Sequence, residues 1–215
     1  MAKLMGKHAQ SIDTQVLERI QTHGPGWVFT PADFSDLGSR TAVATALKRH
    51  KAAGIIRQLD RGLYDVPRTH AKLGVLWPSL EAVTEAIKTR DSVRLQPTGA
   101  YAANLLRLSD QVPMRVFFLT DGPERKIKLG NLRITLKRTT PRNMATAGRI
   151  SGSVIQALRW LGKRSVDDHT VRHLRKLLNN EAKQQLLADV RHAPIWIAQV
   201  MRQVAATESK SKADQ

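Results

Sequence analysis

Apolar and polar positions at the start of the chain alternate with a period that predicts an amphipathic helix. Ser11 precedes this helix as an N-cap, and the Gly-Pro-Gly turn at residues 24–26 ends it. A short strand is predicted at 27–29, followed by a short helix from Thr30 to Leu37 with Pro31 at its first position. The apolar positions that share one face of the first helix are Ile12, Val16, Leu17 and Ile20.

A third helix is predicted between Ser39, its N-cap, and Gly54, and its two faces differ in character. At 100° per residue, one face is apolar apart from His50, which we interpret as a histidine packed at the edge of the core. The other face has no acidic residue, whereas a helix that only covers a core usually mixes both signs on its exposed side. Its long cations and short side chains permit close approach to a phosphate-lined groove, and the alternative interpretation is an ordinary amphipathic surface helix. The polar positions of this face are Arg40, Thr41, Thr45, Lys48, Arg49 and Lys51.

Two short apolar segments on either side of Arg61-Gly62 predict a β-hairpin after the third helix. The order helix, strand, helix, helix, hairpin is that of a winged helix-turn-helix. In that arrangement the third helix enters the major groove of DNA and the hairpin contacts the backbone beside it. Arg61 is expected at the hairpin tip and Arg57 on its flank. We therefore predict a winged helix-turn-helix DNA-binding domain over residues 1–68.

The rest of the chain predicts a mixed domain over residues 69–208 and a disordered tail over residues 209–215. The predicted fold class is α+β: an N-terminal winged helix-turn-helix, then a mixed domain with a small antiparallel sheet and several C-terminal helices. The last helix is rather apolar, so it either closes the core of this domain or supplies a dimer or partner contact. The elements predicted are a helical segment at 71–88, a helix at 99–108, a strand at 116–120, and helices at 144–161, 168–178, 181–192 and 194–206.

A hairpin with one cationic face is predicted around Gly130-Asn131, where apolar and basic residues alternate. Two interpretations stay open: a second phosphate- or RNA-contacting surface, or a solubilising face that guards an edge strand. No aromatic residue interleaves these cations along the sequence, which argues against a base-stacking platform. The candidate residues of this second nucleic-acid or partner surface are Arg125, Lys126, Lys128, Arg133, Lys137 and Arg138.

Composition narrows the classes of partner and chemistry. The chain has 215 residues, 35 Lys and Arg against 18 Asp and Glu, and a formal net charge of +17, which makes an acidic polymer the leading partner. The absence of cysteine excludes disulfide frameworks, thiolate zinc sites and cysteine nucleophiles. No apolar run approaches the ~18 residues of a membrane span, and no signal-peptide segment is visible. We expect a cytoplasmic protein with no membrane partner.

Candidate catalytic groups have structural explanations. Asp167 and Asp168 stand at a predicted helix N-terminus, where acidic residues cap the helix and complement its dipole. His169 and His173 are four residues apart, but no third metal ligand is evident and the glutamate of an HExxH motif is missing. Neither a GxGxxG nor a GxxxxGK[ST] motif occurs. We predict a protein that is not an enzyme, with no catalytic residue, metal or cofactor.

Two segments resemble a known family. The segment GIIRQLDRGLYDVPR, residues 54–68, is similar to the end of the winged helix in AbiEi-type antitoxins of type IV toxin–antitoxin systems. The segment LQPTGAYAANLLRLSDQVPMRVFFLTDGPERKIKLGNLRITLKRT, residues 95–139, resembles the small module that follows it in that family. The resemblance implies a repressor that binds repeats at its own promoter. It also implies opposition to a nucleotidyltransferase-type toxin, often without stable direct contact.

The function expected from the sequence is that of a DNA-binding transcriptional repressor and antitoxin that autoregulates its operon. Arg40, Thr41, Thr45 and Lys48 are predicted to probe the major groove, and Arg49, Lys51, Arg57 and Arg61 to contact phosphates. The partners are double-stranded promoter DNA and a cognate toxin, and the protein is expected to be a monomer or weak dimer. The alternative is an RNA-binding or toxin-binding adaptor that uses the basic hairpin at 125–142.

Overall fold

A computed structural model describes residues 11–206, and its contacts divide the chain into two compact units. The first runs to Ser92 and includes Ile127–Gly130, whereas the second holds Val93–Lys126 and continues from Asn131. Helices and short sheets occur together, so the predicted α+β class is confirmed. The tail predicted at 209–215 lies outside the described residues.

The first unit begins with two α-helices whose N-caps are the predicted serines. Ser11 precedes α1 (Ile12–His23) and Ser39 precedes α2 (Arg40–Ala52). In both cases the serine Oγ accepts a hydrogen bond from the N–H of the third helical residue, which satisfies one otherwise unpaired donor. Between the two helices lie strand β1 (Val28–Phe29) and the 3₁₀ helix Pro31–Phe34.

That single 3₁₀ turn replaces the longer helix predicted from Thr30 to Leu37. The Thr30 N–H donates to Asp33 Oδ2 at 2.7 Å, which closes a capping box around the turn. Arg19 of α1 donates to the Asp33 carbonyl at 2.6 Å and to both carboxylate oxygens of Asp36 at 2.7 Å. Because the Asp33 carbonyl bonds to Arg19, this long-range contact competes with the backbone bond that would extend a helix.

The Arg19–Asp36 pair predicts a loss of stability in acid. The hydrogen bond from Arg19 lowers the pKa of Asp36 from 3.8 to about 2. A carboxylate with a depressed folded-state pKa stabilises the fold above its unfolded pKa, and this contribution is lost as the pH falls from about 4 towards 2. Asp36→Asn is therefore expected to flatten the pH dependence of unfolding in that window, as measured by urea titrations at each pH. Identical pH profiles for the two proteins would contradict this role.

A three-stranded sheet completes the N-terminal part of the first unit. Strands β2 (Arg57–Asp60) and β3 (Leu63–Asp65) form an antiparallel hairpin, and β1 pairs with the other edge of β3. Gly62 in the turn has a φ of +67°, a left-handed conformation that favours glycine. The buried core between this sheet and the helices consists of Val16, Ile20, Phe29, Phe34, Val43, Ala46, Leu47, Ile56 and Val66.

The first unit extends beyond the boundary at residue 68 that we predicted. It continues through a hairpin, β4 (Arg68–His70) and β5 (Gly74–Leu76), and helix α3 (Leu80–Asp91), which packs against β1. The prediction of a helix from residue 71 is wrong for the segment that forms this hairpin. Pro78-Ser79 is predicted to open a second helix in this segment, and Ser79 is the N-cap of α3, where its Oγ accepts from the Ala82 N–H at 3.1 Å.

A four-stranded sheet with the order β6-β7-β9-β8 belongs to the second unit apart from the end of β8 at Ile127–Leu129. Its β6–β7 pair is antiparallel, but β7 and β9 run parallel, so the prediction of an antiparallel sheet is wrong for this pair. The hairpin predicted around Gly130-Asn131 forms from β8 and β9. The elements are β6 (Leu95–Thr98), α4 (Gly99–Leu105), β7 (Arg115–Thr120), β8 (Arg125–Leu129) and β9 (Leu132–Arg138).

Four further helices pack with α4 to form the core of the second unit. They are α5 (Ile150–Leu161), α6 (Asp168–Leu177), α7 (Asn180–Asp189) and α8 (Ile195–Ala205). The helix predicted from residue 144 begins six residues later than expected. The apolar side of α8 is buried in this core, and its fully or nearly buried residues are Ile197, Ala198, Val200, Met201 and Val204.

Candidate nucleic-acid interface

Helix α2 presents the two faces that its sequence predicts. Val43, Ala46, Leu47 and His50 are buried, and His50 Nε2 lies 3.3 Å from the Asp13 carbonyl oxygen, as expected for a packed histidine. The opposite side, which we call the cationic face of α2, is exposed and contains no carboxylate. Its residues are Arg40, Thr41, Ala44, Thr45, Lys48, Arg49 and Lys51.

The cations of this face differ in whether their side chains form an ion pair or a hydrogen bond with another residue of the protein. Arg49 lies 3.8 Å from an Asp13 carboxylate oxygen, and Lys51 Nζ donates to Gln58 Oε1 at 2.8 Å. Arg40 and Lys48 form no ion pair with any residue between 11 and 206. These two side chains therefore keep their donors for an external acceptor.

The hairpin turn between β2 and β3 is held from outside the hairpin by Arg90 of α3. Arg90 Nη1 donates to the carbonyls of Arg61 and Gly62, at 3.1 and 3.4 Å. Its other nitrogens bind both carboxylate oxygens of Asp91 at 2.9 and 3.0 Å. The backbone at the turn is thus fixed, while the Arg61 side chain is exposed. Nothing in the local sequence around Arg90 indicates a contact with a turn 28 residues away, so this role of Arg90 could not be predicted.

The start of α2 and the hairpin turn border the same concave surface. A groove of about 440 Å³ lies between the 3₁₀ helix, the first turns of α2 and Gly62. Arg40 and Arg90 are its two charged lining residues. Arg40 of the cationic face and Gly62 of the turn therefore border one groove, and Lys51 and Arg61 line a second one within the first unit.

Arg57 occupies a different environment from the one its predicted phosphate contact requires. Its guanidinium binds both carboxylate oxygens of the buried Asp65, at 3.0 and 2.6 Å, and donates to the Leu76 carbonyl at 3.0 Å. The guanidinium carbon also lies 4.1 Å from the centre of the Trp77 ring. These partners saturate most of its donors, so Arg57 joins β2 to β3 and β5 inside the unit.

The second predicted surface is largely exposed. Arg125 is half-buried, whereas Lys126, Lys128, Arg133, Lys137 and Arg138 are exposed. Lys137 Nζ lies 4.8 Å from the centre of the Phe117 ring, which comes from β7. No aromatic residue interleaves these cations along the sequence, but the parallel pairing of β7 with β9 places Phe117 beside them in the fold.

A family profile described as a family of unknown function, DUF6088, matches residues 15–186. The chain belongs to the DUF6088 family. The DUF6088 match begins within α1 and ends within α7, so it includes the cationic face of α2, the Arg61 turn and the whole sheet of the second unit. A search of curated proteins finds no match.

In this DUF6088 protein, Asp167 and His173, which the sequence offers as candidate catalytic or metal-binding residues, have polar partners in the backbone. The Asp167 carboxylate caps α6 by accepting from the Thr170 N–H at 2.8 Å, and this bond lowers the pKa of Asp167. His173 Nε2 lies 2.9 Å from the Leu106 carbonyl oxygen. Within residues 11–206, no group of three or more His, Cys, Asp or Glu side chains is placed to hold a metal ion. No helix in this range is long and apolar enough to cross a membrane.

Proposed function

We propose that this protein is a DNA-binding transcriptional repressor whose first unit acts as a winged helix. The observation that carries the proposal is the cationic face of α2, which is exposed, free of carboxylates and adjacent to the Arg61 turn. The small side chains of Ala44 and Thr45 allow the helix axis to approach a groove closely, while longer cations flank them. A face that only solubilises a helix gains nothing from excluding acidic residues.

The proposed roles follow from where each side chain lies. Arg40, Thr41, Thr45 and Lys48 are proposed to contact base edges in the major groove, while Arg49, Lys51 and Arg61 bind phosphates. Arg57 is not included among the proposed phosphate contacts, because its guanidinium is already bound to Asp65. Its proposed role is to stabilise the wing.

An antitoxin role in the cytoplasm extends the same proposal. It is supported by the resemblance of residues 54–68 and 95–139 to AbiEi-type antitoxins, which implies repression of the protein's own operon and opposition to a nucleotidyltransferase-type toxin. Co-expression with the product of an adjacent nucleotidyltransferase gene tests this role. Relief of growth arrest is expected, and unrelieved arrest would remove the antitoxin part while leaving DNA binding intact.

A second candidate function is an RNA- or toxin-binding adaptor that works through the second unit. The exposed cations of β8 and β9 favour it, since they form no ion pair with acidic side chains in the described part of the chain. In that case, substitutions on α2 would leave function unchanged and DNA binding would lack sequence preference.

The DNA-binding proposal is tested by footprinting the full-length protein on DNA upstream of its own gene. Arg40→Ala and Lys48→Ala are each expected to cost about 1–3 kcal/mol of binding free energy and to alter site preference. Arg61→Ala is expected to weaken binding to all sequences alike and to reduce the slope of log K against log salt by about 0.9. Arg202→Ala, an exposed arginine on α8, serves as the control. Wild-type binding by all three variants would refute the proposed interface.

A further inference from the structure

Helix α5 covers the β6 part of one face of the four-stranded sheet. Gln96 and Thr98 of β6, which pair with Leu119 and Phe117, lie against Gly152 and Gln156 of α5. The β7 and β9 part of this face is partly exposed.

In β7 the buried residues Val116, Phe118 and Thr120 alternate with residues that project to the opposite side. In β9 the buried Ile134 and Leu136 alternate with Arg133, Thr135 and Lys137 in the same way. Lys126 of β8 projects to that same side, because Ile127 beside it is buried. We call the part of this side formed by β7, β9 and Lys126 the open sheet face, and its exposed or half-buried residues are Arg115, Phe117, Leu119, Lys126, Arg133, Thr135 and Lys137.

We propose that the open sheet face binds single-stranded nucleic acid and stacks a base on Phe117. This site is separate from α2, and it goes beyond the proposed binding of duplex DNA. Phe117 pairs in register with Thr135, so it lies between the Arg115–Arg133 pair on one side and the Leu119–Lys137 pair on the other. An aromatic ring flanked by cations on neighbouring strands is the combination that accepts a base and its adjacent phosphates.

The register of the parallel strands places like charges side by side. Arg115 and Arg133 are direct neighbours across β7 and β9, where strands lie roughly 4.8 Å apart. Like charges directly opposite each other destabilise a sheet. Neither guanidinium forms an ion pair with any residue the structure describes, and the open sheet face carries no carboxylate. A bound phosphate relieves this repulsion.

Protection of a sheet edge does not explain these charges. Cations that prevent strand-to-strand association are needed on edge strands, which here are β6 and β8. Arg115, Arg133 and Lys137 lie instead on the two interior strands, β7 and β9. Their position across the middle of the face therefore points to a ligand that lies over the sheet.

The aromatic ring favours a single strand over a duplex. The faces of paired bases are already stacked in a duplex, whereas a single strand can turn a base onto a side chain. The Lys137 ammonium lies 4.8 Å from the Phe117 ring centre on a long, exposed side chain. It can exchange this cation–π contact for a phosphate when a base takes its place on the ring.

The test measures binding of fluorescein-labelled 12-nucleotide oligouridylate and oligothymidylate to the full-length protein by fluorescence anisotropy. Phe117→Leu keeps an apolar side chain but removes the π face, so a loss of affinity of fivefold or more is expected. Phe117→Trp is expected to retain binding. Arg115→Gln and Arg133→Gln should each reduce the salt slope by about 0.7, whereas Arg202→Gln on α8 should leave it unchanged.

The affinities of the two Phe117 variants decide whether a base stacks on this ring. Unchanged binding by Phe117→Leu, or an equal loss in Phe117→Leu and Phe117→Trp, would overturn it, because stacking would then play no part. Preference for uridylate over thymidylate identifies RNA as the ligand, and the reverse identifies single-stranded DNA. Arg40→Ala is expected to leave oligonucleotide binding intact, and Phe117→Leu to leave the promoter footprint intact. Failure at one site is thereby distinguished from failure at the other.

Discussion

Arg57→Ala is expected to lower the free energy of unfolding of the first unit by about 3–5 kcal/mol. Asp65 is 1% exposed, and Arg57 supplies the two charge-assisted hydrogen bonds to its carboxylate. Without that guanidinium, the carboxylate remains buried without its charge partner, and the Leu76 carbonyl and the Trp77 ring lose their contacts with β2. Urea unfolding of the full-length protein, followed by hydrogen exchange of the β2 and β3 amides, measures the loss.

Two controls separate this effect from a general loss of positive charge. Arg61→Ala changes an exposed arginine in the same hairpin and is expected to alter stability by no more than about 0.5 kcal/mol. Asp65→Asn should restore part of the stability of Arg57→Ala, since it removes the unpaired buried charge. If Arg57→Ala unfolds like the wild type but binds DNA weakly, Arg57 is a phosphate contact after all.

Gly152→Ala is expected to destabilise the second unit by roughly 3 kcal/mol, at the upper end of the cost of overpacking a core. A Cβ at this position of α5 would overlap the Gln96 Oε1 atom and the Thr146 carbonyl oxygen. Both residues are buried, and the Thr146 oxygen belongs to the backbone, so neither can move away at low cost. The glycine therefore allows α5 to pack closely on β6.

The matched control is Ser153→Ala, which alters the next residue of the same helix and should change stability by no more than about 0.5 kcal/mol. Gln96→Ala in the Gly152→Ala background should recover only part of the loss, because the Thr146 carbonyl remains in place. Hydrogen exchange of the α5 and β6 amides in the full-length protein localises the effect. Wild-type protection in Gly152→Ala would show that this packing is not tight.

Local patterns were sufficient to predict the candidate interface on α2. Ser39 and Gly54 bracket the helix, and the period of 3.6 residues divides its polar from its buried positions. The Arg61-Gly62 turn was equally accessible, because glycine after a short strand favours a tight turn. Contacts between neighbouring residues decide all of these features.

Long-range contacts account for what sequence reasoning missed. A local helix pattern also describes residues 71–76, but pairing of Arg68 with Leu76 makes them part of a hairpin. The residues around Arg57 in the sequence do not indicate that its guanidinium binds Asp65. Those around Arg90 do not indicate that its guanidinium donates to the backbone of the β2–β3 turn. These side chains bind partners that lie 8 to 29 residues away along the chain, and such contacts depend on how the helices and strands pack.

The sequence by itself determined the helix caps, the faces of α2, the β8–β9 hairpin and the α+β class, because these depend on spacing along the chain. Only the tertiary structure decided that Arg57 binds Asp65 across the β2–β3 hairpin and that Phe117 lies beside Lys137 of β9. The parallel register of β7 and β9 joins residues 18 positions apart, such as Phe117 and Thr135. Such pairing between distant strands depends on how the strands pack together, and the alternation of residues along one strand does not specify it.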